Sequence, residues 1–241
     1  MSRKRLILTA VVLILVLAIG GILAYFTDVQ TKHNKFKTGK VDILVEEPSW
    51  PGNPIDNPEY DPETNPDVPQ KIEPDVPVTP NQEIPKDPQI TNQGEGDVYA
   101  FVEVTVPVRN VKVGTATQAA PTQLFSFRHK GSTEGSSVIG VNRGWYKISQ
   151  TPADEDITAE TTSVTYVYAY GTSSTELKPL AKGETTPTLF DSVIFADVTE
   201  TEYNENSGIQ GQTFEVVVKG YGIQAEGLSS KVPSEVWPQV K

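Results

Sequence analysis

The chain has 241 residues, a formal charge of −11 at neutral pH and no cysteine. That length holds one sizeable domain with appendages. The missing cysteines exclude disulfides, thiol chemistry and cysteine metal sites, and the acidic balance opposes contact with nucleic acid phosphates and anionic lipid heads.

The N-terminus reads as an export signal. Arg3, Lys4 and Arg5 form a positive start, and residues 6–23 are 18 residues without a charge. That run is long for a signal core and short for a membrane span. Gly20 and Gly21 break the helix near its end, and Ala24 supplies a small residue for cleavage between Ala24 and Tyr25. An uncleaved anchor is the alternative. In both readings the positive start stays inside and the remainder lies outside the membrane. The part beyond Ala24 carries 17 Lys and Arg against 31 Asp and Glu, a balance of −14. The expectation is an acidic secreted or surface protein that meets the membrane only through residues 6–23.

The first strand is expected over residues 36–46. Phe36, Thr38, Lys40, Asp42 and Leu44 fall on one face, with Gly39, Val41, Ile43 and Val45 on the other. Alternation with β-branched residues marks a half-buried strand. The basic start, the apolar run ending in Gly-Gly-x-x-Ala-Tyr-Phe-Thr-Asp, and Asn34-x-Phe36-x-Thr38-Gly39-x-Val41-Asp42-Ile43 together resemble the TasA/camelysin family. The resemblance implies an exported protein of a Gram-positive bacterium, cut by a SipW-type signal peptidase. It also implies an all-β, jelly-roll-like antiparallel β-sandwich behind the signal helix. Several family members build extracellular fibres in which an N-terminal strand of one subunit completes the sheet of the next. Phe36, Gly39, Val41, Ile43 and Val45 are the expected assembly strand.

Residues 48–88 contain twelve prolines, and residues 46–88 contain eleven acidic side chains against two lysines. Proline removes a donor and forces its predecessor toward extended geometry, which excludes a central strand or a helix. Residues 48–82 are expected to be a solvated, acidic, polyproline-like loop that separates residues 25–47 from a body over 83–241. The run from Asp56 through Glu59, Asp61 and Glu63 to Asp67 suggests a calcium loop, but it lacks the turning glycine and is stiffened by proline. It reads as a solvated spacer.

The body reads as strands and turns. Lys86-Asp87-Pro88-Gln89-Ile90-Thr91-Asn92-Gln93-Gly94 resembles a second family block, Lys-x-Pro-x-Ile/Val-x-Asn-x-Gly. Residues 98–113 are the strongest strand, with Val98, Ala100, Val102, Val104, Val106 and Val108 on one face. Pro107 marks a stop or bulge in the pairing. Further strands are expected at residues 124–127, 138–139, 144–148, 162–170, 189–198 and 214–223. The family resemblance implies a short turn or helix over Ser234 to Trp237 after the last of these strands. The absence of long helical periodicity and the turns every 8–12 residues indicate a sandwich.

Catalytic patterns are sparse. Camelysin is named a metallopeptidase, but His33 and His129 are the only histidines and form no His-Glu-x-x-His. Asp154-Glu155-Asp156 and Glu200-Thr201-Glu202 are candidate carboxylate pairs that read as solvated turns. Trp145, Tyr166, Tyr168 and Trp237 are candidates for a carbohydrate-binding face, weighed against a place in the core. No catalytic residue, metal site or cofactor is expected. The sequence favours a non-enzymatic, exported structural protein: a subunit or accessory of a fibre, biofilm matrix or surface layer, assembling by β-strand addition with itself or with related subunits. An anchored or secreted adhesin is the alternative, followed by a camelysin-like metallopeptidase.

Overall fold

The structure is a computed structural model that describes residues 40–131, 137–199, 209 and 211–240. Fourteen strands run in chain order among the described residues: β1 Ile43–Glu46, β2 Ile55–Asp56, β3 Lys71–Ile72, β4 Glu83–Pro85, β5 Gln89–Asn92, β6 Val98–Val111, β7 Ala120–Gln123, β8 Phe125–Lys130, β9 Ser137–Ile139, β10 Trp145–Thr151, β11 Ser163–Ser173, β12 Glu176–Leu177, β13 Ser192–Phe195 and β14 Val217–Gln224. A helical turn, Pro233–Val236, continues into a 3-10 turn, Trp237–Gln239. Among the described residues no helix is long and apolar enough to cross a membrane.

The strands form an antiparallel β-sandwich. One layer has the order β10-β11-β6-β14, with β12 beside β11 and β7 beside β6. The other has the order β4-β13-β8-β9. The ribbon of β1 and β5 extends this second layer, because the chain after β4 stays bonded to the chain before β13. Leu189 N–H donates to Pro88 O (2.7 Å), Thr186 N–H to Ile90 O (2.9 Å) and Asn92 N–H to Glu184 O (2.9 Å).

β6 organises the core. Its even positions from Val98 to Val108 are at most 1% exposed and face the second layer. There they meet Ile84, Ile90, Phe127, Phe190 and Val193. Phe127 stacks on Phe190 with centroids 4.6 Å apart, and Tyr166 meets it edge-on at 5.9 Å. The odd positions Tyr99 and Phe101 are buried too, under the C-terminal turn, where Trp237 lies 5.4 Å from Phe101. Burying both faces explains why the strand reads as nearly continuous apolar sequence rather than a clean alternation. Pro107 sits where the partner on one edge changes: β14 pairs as far as Thr105, and β7 takes over at Val108. Proline there spares both ladders a missing donor.

Residues 48–82, expected as an extended, solvated, polyproline-like loop, also carry local pairing. They are largely exposed and turn-rich, but β2 and β3 pair through Ile55–Ile72 and Asp56–Lys71. Asn57 Nδ2 bonds Pro69 O (2.9 Å), and Asp61 accepts the Glu63 N–H (2.8 Å) and the Thr64 hydroxyl (2.7 Å). These side chains close the turns that proline leaves without backbone donors. Trp50, Val76 and Val78 pack against the main core, so both ends of the loop lie along the body.

Candidate functional site: the seat of the N-terminal strand

The feature most specific to this sequence is the place where β1 lies. Its register on β5 pairs Ile43 with Asn92, Leu44 with Thr91, Val45 with Ile90 and Glu46 with Gln89. The inward side chains Val41, Ile43 and Val45 point across the sandwich at β14, where Gly220 and Gly222 leave the floor open. A Cβ on Gly222 would stand 2.8 Å from Ile43 Cγ2, and one on Gly220 would overlap Val45 Cγ2. The β-branched side chains of one layer thus fill space that glycine vacates in the other, which is the close approach glycine permits in a strand.

The Lys86–Gly94 block builds the rest of the seat. Lys86 is 6% exposed. Its Nζ meets Glu47 Oε2 at 2.6 Å and lies 4.7 Å from the Trp50 ring centroid. Glu47 follows β1 directly. Ser49 N–H donates to Asp87 Oδ1 (2.8 Å), and Asn53 Nδ2 donates to Glu47 O (2.5 Å). Charged side chains are rarely buried unpaired, so this pair fixes the exit of β1 onto the body. Ile90 is fully buried beneath Gly220. Asn92, also fully buried, donates through Nδ2 to Gly96 O and Leu180 O (both 2.9 Å) and accepts the Gly94 N–H (2.9 Å). Any side chain on Gly94 would meet Lys40 O at 2.6 Å. Each outstanding residue of the block therefore has a structural task around β1.

β1 is an edge. Gln93 N–H donates to Asp42 O (2.8 Å). Antiparallel pairing alternates, so Leu44 and Glu46 turn their amides to β5 while Ile43 and Val45 turn theirs outward. Among the described residues no backbone group meets that outer side. The arrangement performs no acid–base or nucleophilic chemistry. It holds an extended segment through backbone bonds and alternating apolar pockets, the mode of recognition used in strand addition.

Of the residues expected in the assembly strand, Val41, Ile43 and Val45 meet in this seat, within their own chain. Phe36 and Gly39 lie outside the described residues, as do Ala24, Tyr25, His33 and Glu200-Thr201-Glu202. The structure docks residues 40–47 on the body instead of leaving them apart from it, because Glu47 needs Lys86 and the glycines of β14 need filling. Gly220, Gly222, Glu47 and Trp50 were not singled out from sequence. The alternating glycines of Gly220-Tyr221-Gly222 were the available signal.

The remaining candidates have structural surroundings. Trp145, Tyr166 and Tyr168 are buried, with Trp145 Nε1 donating to Pro187 O (2.9 Å), and Trp237 covers Phe101, so they form no exposed aromatic face. Asp154-Glu155-Asp156 is an exposed 3-10 turn, with Gln150 Nε2 on Asp154 Oδ1 (2.6 Å). Asp191 is a buttress. It accepts Lys130 N–H (2.7 Å), Thr188 Oγ1 (2.8 Å) and Asn142 Nδ2 (3.2 Å). Burial alone would raise its pKa, but these donors outweigh burial and hold it below the usual carboxylate value.

Residues 4–52 match the camelysin metallo-endopeptidase family. The matched segment ends at Gly52, so it includes β1, Glu47 and Trp50, which are the strand and two of the groups that fasten it. The TasA/camelysin kinship expected from the residues is thereby borne out over this segment. No curated protein matches the chain. The camelysin description implies a catalytic metal. Among the described residues no three His, Cys, Asp or Glu side chains converge as ligands, and His129 Nδ1 lies 3.0 Å from Lys130 O. The residues described do not fit a peptidase zinc.

Proposed function

We infer that the chain is a non-enzymatic, exported structural protein, a subunit or accessory of an extracellular fibre, matrix or surface layer that assembles by β-strand addition. The observation that carries this reading is the way the N-terminal end enters the fold. Behind the export signal the chain arrives as β1, an edge strand whose outward amides meet no backbone partner among the described residues, seated by an ion pair and two glycines. Natural proteins blunt or cover such edges, and one left open is a template for another chain. Because Val41, Ile43 and Val45 already have a home, the strand offered to a neighbour is the part upstream, residues 25–39. Cleavage after Ala24 by a SipW-type signal peptidase releases it, since a membrane-held N-terminus is not free to reach an adjacent subunit.

The test is N-terminal sequencing of the protein recovered from the cell exterior, paired with electron microscopy of the same material. A sequence starting at Tyr25 and ordered polymers support the reading. A dispersed monomer with that N-terminus contradicts it. Caseinolytic activity that purifies with the protein and is lost on adding a chelator would overturn it in favour of a peptidase.

A further inference from the structure

We propose that the cleft beneath residues 73–80 binds a single-chain amphiphile, with an alkyl tail between the two layers and a cationic head group at the mouth. The cleft adjoins the seat of β1 at Trp50 and Lys86. Its use as a ligand site does not depend on strand addition.

The cleft has a volume of about 980 Å³. Ile84, Phe125, Val193 and Phe195 of the second layer form its floor, and all four are buried. Phe214 and Val216, on the approach to β14, form a wall. Arg109, which does not line the cleft, lies over the Phe214 ring at 5.1 Å and steadies that wall. Protein interiors are close-packed, with few voids larger than a water molecule. Sites for small organic ligands measure about 300–1,000 Å³ and are mostly apolar with a few placed polar groups. The roof explains why this cleft stays open. Residues 73–80 read Glu-Pro-Asp-Val-Pro-Val-Thr-Pro, with proline at every third position. Proline fixes φ and removes a donor, so the segment spans the cleft in extended form instead of folding into it. Among the described residues no backbone–backbone hydrogen bond holds residues 73–78. Val76 and Val78 pack onto the core, and the downstream end is tied by Asn81 N–H on Phe195 O (3.1 Å) and Gln82 N–H on Thr79 O (3.0 Å). A roof that rests on two valines can lift to admit a tail.

Charge selects the head group. Glu73, Asp75 and Glu215 line the cleft and are exposed. Among the described residues none of these three has an ion-pair partner. Lys86 is the one cation among the described lining residues, and Glu47 already holds its Nζ at 2.6 Å. Three carboxylates beside one neutralised lysine attract a cation and repel a fatty acid carboxylate or a lipid phosphate. The apolar floor takes the tail whatever the head group, so the mouth sets the preference among amphiphiles of equal chain length.

The probe is dodecyltrimethylammonium, titrated by calorimetry into the mature protein at mildly alkaline pH and below the micelle concentration. Dodecyldimethylamine oxide, of nearly the same shape and without net charge, and dodecanoate are titrated beside it. The expected result is saturable binding of one dodecyltrimethylammonium per chain, with the amine oxide weaker by about fivefold or more and dodecanoate weaker again. The variant Glu73→Gln, Asp75→Asn, Glu215→Gln changes exposed side chains only. It is expected to keep its melting temperature and to bind dodecyltrimethylammonium and the amine oxide alike. Val216→Trp fills the cleft and is expected to abolish both titrations; Val78→Trp fills it from the roof and decides the point if Val216→Trp fails to fold. Dodecanoate binding as tightly as dodecyltrimethylammonium, or a charge variant that keeps the preference, overturns the cationic head group. Binding without saturation, binding that survives a folded filling variant, or no binding at all overturns the cleft as the site.

Discussion

Replacing Glu47 with Gln keeps the shape of the seat and removes one charge of its buried pair. Lys86 is then left 6% exposed beside an amide. Removing one partner of a buried ion pair typically costs about 3–5 kcal/mol, because the remaining charge has lost both its counter-ion and its water. Three features set the scale here. The pair is short, at 2.6 Å; Glu47 retains 16% exposure; and the Trp50 ring lies 4.7 Å from Nζ. The ring and the residual solvent offset part of the loss, since a cation over an aromatic face contributes about 0.5–2 kcal/mol. A destabilisation of about 2–4 kcal/mol follows. For a body of this size each kcal/mol shifts the melting temperature by about 2–4 °C. The assay is urea unfolding of the mature protein, with the slope checked for constancy. The double variant Glu47→Leu, Lys86→Met should recover most of the loss, since two apolar side chains need no partner. A cost below about 1 kcal/mol for Glu47→Gln, or a double variant worse than both singles, would refute the ion pair as the fastening of β1.

Gly220→Val puts two methyls where Val45 Cγ2 lies, and the overpacking should cost at least about 1–3 kcal/mol and expose β1 to protease, with partial rescue by Val45→Ala. Asn92→Ala strands the buried Gly94 N–H and removes one of the two bonds at Leu180 O, which keeps the Val98 N–H; denaturant unfolding should show a loss of about 1–3 kcal/mol. Asp191 has a folded pKa below its unfolded one, so its contribution is present above the ordinary carboxylate pKa and is lost as pH falls through the lowered value. The urea midpoint should therefore fall on acidification below that range, and Asp191→Asn should lower stability at neutral pH while flattening that part of the profile.

The sandwich was legible because its central strand obeys a short-range rule. An apolar residue, valine at all but Ala100, at every second position from Val98 to Val108 needs no knowledge of partners, and the even positions of β11 from Val164 to Tyr170 repeat the alternation. Pro107 was legible for the same reason, since proline restricts pairing wherever it occurs. β14 was anticipated as a strand, but its glycines conveyed nothing about what fills them, because Val45 and Gly220 are distant in sequence. The Glu47–Lys86 pair was hidden likewise: 39 residues separate the partners, and a glutamate in an acidic run resembles its solvated neighbours. β2 and β3 were missed because two-residue pairings have no periodicity to detect. The aromatic residues considered for ligand contact were ambiguous in sequence, since one alternating pattern suits a core and a binding face. Burial, a tertiary property, separates the two.

Concentration-dependent light scattering of the mature protein starting at Tyr25, run beside the same protein without residues 25–39, tests the central claim most directly. The account predicts that the longer protein grows in mass with concentration and that the shorter one remains monomeric with an unchanged melting temperature. Two proteins that remain monomeric, or that grow alike, would contradict it.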